Sequence, residues 1–242
     1  MSLNEYALIV AGGKGTRIKS RLPKQFLELN GVPILMHTIN AFFRYSENVK
    51  VILVLPEDDF KTWQELCTKH NFTKPVVLQK GGDTRFQSVK NGLDKIDEGL
   101  VAIHDGVRPL VSEDIIGASF RLAAVHQSAV AAVRLKESIR MTDQACLPEG
   151  SSAHRQDNTK AMDRSRFRLI QTPQTFQVDL IKKAYEVKDD PGFTDDASVA
   201  EKAGHIISLF EGSYENIKIT TSEDLIIAEA LLNAKSKIEN GK

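Results

Sequence analysis

The chain has 242 residues, 41% hydrophobic and 26% charged, which is within range of one large α/β domain or two small ones, large enough for a sizeable core, and excludes wholesale disorder. Lysine plus arginine number 32 and aspartate plus glutamate 32, so the formal net charge is zero, and a generic binder of nucleic acid or anionic membrane is not expected. The two cysteines, Cys67 and Cys146, are too few and too far apart for a disulfide framework, and no apolar run of about 18 residues exists to span a bilayer. With no signal-peptide pattern in residues 1–6, a cytoplasmic location is the expectation.

Short apolar runs alternate with amphipathic stretches. YALIV (6–10) reads as a buried strand, and Pro33 then opens a helix over 34–45. A strand follows at 49–55, closed by Pro56, then a charged helix at 57–70 with Phe60, Trp63 and Leu66 at helical spacing. A third strand at 76–79 leads to a helix at 85–96, a fourth at 100–104 to a helix at 113–125, and a fifth occupies 128–134. Strands alternating with helices predict a Rossmann-like α/β fold, its mostly parallel sheet covered on both faces.

The pattern breaks at 136–160, where polar alternation and a Pro148–Gly150 turn suggest a β-arm, or alternatively a disordered insertion. Beyond it come RLIQTPQTF (168–176), helices at 178–187 and near 196–203, and strands at 206–210 and 216–219. A closing helix at 222–237 turns Leu225, Ile226, Ala228, Leu231 and Leu232 inward. With no repeat or linker in the chain, one domain with an arm is expected.

Open α/β sheets bind ligands beyond the carboxyl ends of their strands, so residues just after strands are the informative ones. Ala11-Gly12-Gly13-Lys14-Gly15-Thr16-Arg17 follows the first strand. Its glycines let the backbone approach phosphate oxygens. It is not a Walker A loop, since no glycine sits five residues before the Gly13-Lys14 pair, nor a dinucleotide fingerprint, since position 18 is Ile and not Gly. Two cations follow it, Arg17 and, in LPKQ, Lys24. Gly81-Gly82-Asp83-Thr84-Arg85 follows the third strand, with Ser88 one turn into the next helix. It could be a base pocket, but taken alone it reads more readily as a turn capped by Asp83 or Thr84. His104-Asp105-Gly106-Val107-Arg108 follows the fourth strand. Asp105 is a candidate for a metal or ribose hydroxyl and Arg108 for a phosphate, against a plain Asp105–Arg108 ion pair. His104 is expected to face away and not to act as a base. Asp163-Arg164, QTPQ, TDDAS and NIKIT are individually unspecific; Thr194 or Asp195 suits a helix cap.

Together these segments are specific. AGGKGTR, PKQF, GGDTRFQSV, HDGVRP, MDRSRF, QTPQTF, TDDAS and NIKIT run in order from Ala11 to Thr220. The chain resembles the 2-C-methyl-D-erythritol 4-phosphate cytidylyltransferases, and the ribitol- and other polyol-phosphate cytidylyltransferases share most of these motifs. The stretch DRSRF ahead of QTPQ favours the methylerythritol enzyme, and Glu137-Ser138 stands where that family usually has Asp-Thr.

The resemblance implies transfer of CMP from CTP to the polyol phosphate, with Mg²⁺ or another divalent cation. It implies catalytic cations at Arg17, Lys24, Arg164 and Lys218. Nucleotide contacts are implied at Ala11, Gly12, Gly13, Gly15, Gly81, Gly82, Asp83, Ser88 and Asp105. Substrate contacts are implied at Asp105, Arg108, Ser138, Arg164, Thr172, Thr194 and Lys218, with Asp105 a metal ligand in so far as the protein supplies one. It further implies a homodimer whose arm, 136–160, completes the partner's pocket. Two other readings stand beside this one: a cytidylyltransferase for another polyol phosphate, and a non-catalytic nucleotide-binding module.

Overall fold

The computed structural model describes residues 3–13, 22–143 and 158–240. In chain order the elements are β1 (Glu5–Val10), β2 (Glu28–Leu29), β3 (Val32–Pro33), α1 (Ile34–Tyr45), β4 (Lys50–Leu55), α2 (Phe60–Lys69) and β5 (Val76–Lys80). Next come α3 (Arg85–Leu93), β6 (Leu100–Asp105), α4 (Glu113–His126), β7 (Ser128–Arg134), β8 (Ile139–Thr142) and β9 (Thr159–Met162). The chain closes with β10 (Arg168–Gln177), α5 (Val178–Ala184), α6 (Asp196–Lys202), β11 (Leu209–Glu211) and α7 (Ser222–Asn240).

Seven strands form the main sheet in the order β11-β7-β10-β6-β1-β4-β5. The chain goes from β1 outward to β4 and β5, then returns to the other side of β1 for β6. That reversal leaves a crevice at the carboxyl ends of β1 and β6. The parallel sheet expected from the alternation is present, with one exception. β10 runs antiparallel to both β6 and β7, and its register with β7 slips between Ile170 and Gln174.

Both faces are buried, and the side-chain period of two sorts the strands between them. Ala7 and Ile9, Val51, Leu53 and Leu55, and Leu100 and Ala102 face α1 and α4 with Leu35, Ile39, Phe42, Ile116 and Phe120. Leu8, Ile52, Val54, Val101 and Ile103 face α3, α5 and α6 with Phe86, Val89, Leu93, Ile181 and Val199. A smaller cluster seats α7: Ala228 is buried with Leu29, Ile34, Val107, Leu110 and Ile219, and Leu225, Leu231 and Leu232 pack against it.

Six expectations need correction. The helices expected at 85–96 and 178–187 end at Leu93 and Ala184. Residues 57–59 form a 3-10 turn, so the second helix starts at Phe60. Residues 216–219 are not a strand; side chains and a bond from Ile219 N–H to the Val107 carbonyl (2.9 Å) hold them. The strand expected at 206–210 is shorter and starts later, at Leu209–Glu211. Ile226 is 67% exposed, because the buried stripe of α7 follows Ala228 and the partly buried Leu225, Leu231 and Leu232. In the 136–160 segment, β8 and β9 pair antiparallel as a separate two-stranded sheet, from Ile139 opposite Met162 to Thr142 opposite Thr159. Residues 144–157 lie outside the described residues.

Candidate active site

Two adjoining cavities open in the crevice. The first, about 210 Å³, lies between the loop after β1 and the turn from β5 into α3. Its walls are largely main chain. Ala11 N–H bonds the Val54 carbonyl (3.0 Å) and Gly81 N–H the Leu55 carbonyl (2.8 Å), so both turns are laid along β4. Neither glycine of the second turn has room for a side chain: a Cβ on Gly82 would lie 2.4 Å from Gln87 Cβ, and one on Gly81 2.9 Å from Ser88 Oγ. The Ser88 hydroxyl accepts from Gly82 N–H (3.1 Å) and donates to the Thr84 carbonyl (2.9 Å). It therefore braces the turn from the cavity wall and leaves acceptor capacity there. Thr84, not Asp83, caps α3 by accepting from Gln87 N–H. Lys24 reaches this cavity from a 3-10 turn, Lys24–Phe26, opened by Pro23.

The second cavity, about 260 Å³, is walled by side chains, among them Arg108, Gln171, Thr172, Gln174, Thr194 and Asp195. Arg85, Asp105 and Lys218 line both cavities and mark their boundary. Asp105 ends β6, and its Oδ2 accepts from Arg108 Nε and from Lys218 Nζ, each at 3.1 Å. Burial alone would raise its pKa, but Lys218, Arg108 and Arg85 together outweigh that and hold the carboxyl well below the usual range. The plain ion pair expected for Asp105 and Arg108 thus exists, inside a larger network. Arg108 Nη1 also donates to the Asn216 carbonyl (2.7 Å), and Asn216 Nδ2 donates to the Thr172 carbonyl (2.8 Å). The Thr172 hydroxyl accepts from Asp105 N–H (3.1 Å). These bonds fasten the 216–219 segment, and with it Lys218, to the end of β6 and to the middle of β10, where its register with β7 slips.

His104 points away from the crevice, as expected. It is fully buried, meets Phe42 edge-on at 5.2 Å, and its Nε2 lies 3.3 Å from the Arg108 carbonyl. Burial pushes its pKa down to about 4, so the ring is neutral at pH 7.

Of the remaining candidates, Ala11, Gly12, Gly13 and Asp83 line the first cavity, and Thr194 lines the second. Asp195 is the cap of α6, accepting from Ser198 N–H (2.9 Å), and it also accepts from Gln174 Nε2 (2.9 Å). Gly15 and Arg17 lie outside the described residues. Ser138 and Arg164 line neither cavity: both are exposed at the base of the β8–β9 hairpin, where Arg164 Nη1 donates to the Lys136 carbonyl. The sequence did not single out Arg85, Gln171 or Gln174 as site residues, yet all three line the crevice. All three sit inside the motifs GGDTR and QTPQ, and only their approach to the crevice distinguishes them. Among the described residues no group of three or more His, Cys, Asp or Glu could hold a metal ion, and no helix is long and apolar enough to cross a membrane.

Residues 6–234 match the family described as 2-C-methyl-D-erythritol 4-phosphate cytidylyltransferase. The chain is 47% identical over 227 residues to the protein of that name from Bacteroides fragilis, covering 93% of this chain and 98% of the relative. It is 45% identical over 237 residues to the one from Porphyromonas gingivalis, covering 97% and 100%. The solved 4-diphosphocytidyl-2C-methyl-D-erythritol synthase from Anaerococcus prevotii superposes with a TM-score of 0.78 at 28% identity, covering 96% of each chain. Motif order, fold and whole-length identity agree: the chain belongs to the 2-C-methyl-D-erythritol 4-phosphate cytidylyltransferase family.

Proposed function

We propose that the first cavity holds CTP, the second holds the acceptor phosphate, and the two substrates meet at Arg85, Asp105 and Lys218. The enzyme transfers CMP from CTP to 2-C-methyl-D-erythritol 4-phosphate, giving the 4-CDP-alcohol and pyrophosphate. The observation that carries the assignment is the boundary itself, three charged residues common to two cavities of different construction.

A phosphomonoester has its second pKa near ~6, so the acceptor is largely dianionic at neutral pH and needs no base. One of its oxygens forms a bond to the α-phosphorus, the bond from that phosphorus to the β-phosphate oxygen breaks, and pyrophosphate leaves with the electron pair. The difficulty is bringing a dianion to a polyanion, so the work of the site is positioning and charge neutralisation. Lys24 and, following the family pattern, Arg17 serve the triphosphate side. Arg108 and Lys218 hold the acceptor phosphate, and Asp105 keeps both cations in place. Gly81, Gly82 and Ser88 form the wall against which cytosine rests, and Thr172 and Thr194 face the polyol.

Mg²⁺ typically takes one or two carboxylates together with substrate phosphates, and the ionised Asp105 at the boundary suits that donor set. The ion would neutralise triphosphate charge. The β8–β9 hairpin is the arm of one catalytic domain. In a homodimer it would carry Ser138 and Arg164 to the partner's second cavity, which accounts for their distance from this chain's own. A cytoplasmic location fits the use of CTP.

The test is pyrophosphate release from CTP and Mg²⁺ with each acceptor. Release that needs 2-C-methyl-D-erythritol 4-phosphate is expected. Equal release with ribitol 5-phosphate would move the acceptor assignment, and the absence of release with every acceptor phosphate tried would leave a nucleotide-binding module.

A further inference from the structure

Arg85 begins α3, and its side chain runs between the two cavities. Its Nη1 and Nη2 meet the two carboxylate oxygens of Asp196 end-on, at 2.8 and 2.6 Å. Asp196 is fully buried, and its Oδ1 also accepts from the Tyr185 hydroxyl at 2.6 Å. Tyr185 is itself buried and stacks on Phe86, the residue after Arg85, with ring centroids 4.6 Å apart. The carboxylate and the phenol are thus locked in the core on the α5–α6 side of the sheet.

The two ends of this pair are not alike. Asp196 is 0% exposed, whereas the Arg85 side chain is 32% exposed. A guanidinium has five N–H donors, and the end-on pair uses two. The other three include Nε–H and an outer Nη–H on one edge, a fork of the spacing that grips a phosphate bidentately. Among the described residues nothing else bonds them. A purely structural ion pair has no reason to present its cation to solvent at the boundary of two cavities, since an arginine turned inward would satisfy the same acid. Asp105 and Lys218 share that boundary, but there Lys218 is already paired to Asp105 at 3.1 Å. Arg85 alone of the three has its counter-ion behind it, in the core, so its free edge faces the place where the substrates meet.

We infer that Arg85 is a further substrate-contacting residue, gripping a phosphoryl group at the meeting point of the two cavities, and that Asp196 and Tyr185 are positioning residues fixing the plane of its guanidinium. The inference rests on the division of the crevice between CTP and the acceptor phosphate. Held by a rigid pair, the fork needs no reorganisation as charge develops on the transferring group, which is where a fixed donor has its largest effect.

The experiment compares wild type with Arg85→Lys and Tyr185→Phe. Lysine keeps a positive charge beside Asp196 but has no planar fork. Its kcat is expected to fall by roughly 10²- to 10³-fold, the range for loss of a transition-state donor, with KM for CTP little changed. Tyr185→Phe leaves the ion pair and frees its orientation, so kcat falls several-fold with both KM values kept. Wild-type kcat and KM in both folded variants, with only Tm lowered, would reduce the pair to a structural one and overturn the inference. Should the lysine variant not fold, the wild-type enzyme crystallised with a non-hydrolysable CTP analogue and the acceptor decides. A guanidinium nitrogen within ~3 Å of a phosphate oxygen is expected, and contact with neither substrate overturns the proposal. Failure of the functional reading is distinguishable, because wild type itself would then release no pyrophosphate.

Discussion

The two halves of the crevice are made of different material. The wall of the first cavity is backbone: glycines after β1 and β5, laid along β4, with Ser88 and Thr84 bracing the turn. The wall of the second is a lattice of side chains, Asp105, Arg108, Asn216, Gln171 and Thr172, tied to one another by hydrogen bonds. A backbone wall fails when atoms are added to it, while a side-chain wall fails when charge is removed from it. The difference suits the ligands proposed for each. A flat base needs close approach and shape, and a compact dianion needs cations held apart from one another until it arrives.

The comparison is broken most forcefully at Asp105. Removing it by Asp105→Ala leaves the buried Arg108 without its carboxylate and Lys218 without its anchor. Breaking one partner of a buried pair costs about 3–5 kcal/mol, and denaturant unfolding should show a loss in that range together with loss of turnover. A change below ~1 kcal/mol, the range of exposed pairs, would mean that the second wall is not held by charge.

The next effect concerns pH, and it arises in the core beneath the crevice, at His104, which lines neither cavity. His104 is depressed from 6.5 to about 4 in the folded state, chiefly by burial. The unfolded chain therefore takes up a proton as pH falls through 6.5 while the folded one does not. Stability from this group is complete above pH 6.5, declines by roughly 3 kcal/mol as the pH falls to 4, and is level below that. Asp105 is depressed too, so its contribution is present above its unfolded pKa, near 4, and disappears only below that. Thermal unfolding followed from pH 7 to 4.5 should slope downward, and His104→Gln should flatten the slope. An unchanged slope in that variant would place the acid sensitivity elsewhere.

The smallest effect sharpens the other side. In Gly82→Ala the new Cβ meets Gln87 Cβ, part of α3 and unable to swing aside. Overpacking of this kind costs about 1–3 kcal/mol, and the turn should shift enough to raise KM for CTP while KM for the acceptor stays as it was. A rise in both would show that the two walls move as one.

Much of this was readable from residue order. Helix α1 at 34–45 and strand β7 at 128–134 have the bounds their periodicity predicts, because each is bordered by strong local signals: Pro33 before the helix, and a change of period after His126. The strand-end positions of Asp105 and the glycines followed from the alternation. The direction of β10 did not, since RLIQTPQTF is equally apolar whichever way it runs, and pairing with β6 and β7 decides it. Residues 216–219 alternate as a strand would, yet beside local turn bonds to Ser213 and Glu215 they bond Arg108, Thr172 and Val107, none within 40 residues of them.

Residue order by itself determined the elements, the layered α/β plan and the family, since these depend on local periodicity and on motifs whose atoms are near one another along the chain. Tertiary structure alone decided which charges meet. Arg85 finds Asp196 across 111 residues, and Arg108 finds Asn216 across 108. Lys218 reaches Asp105 from a segment that a buried asparagine ties to Arg108 and to Thr172. Coulomb and hydrogen-bond energies depend on separation in space, and no local pattern in the chain encodes a separation that packing creates.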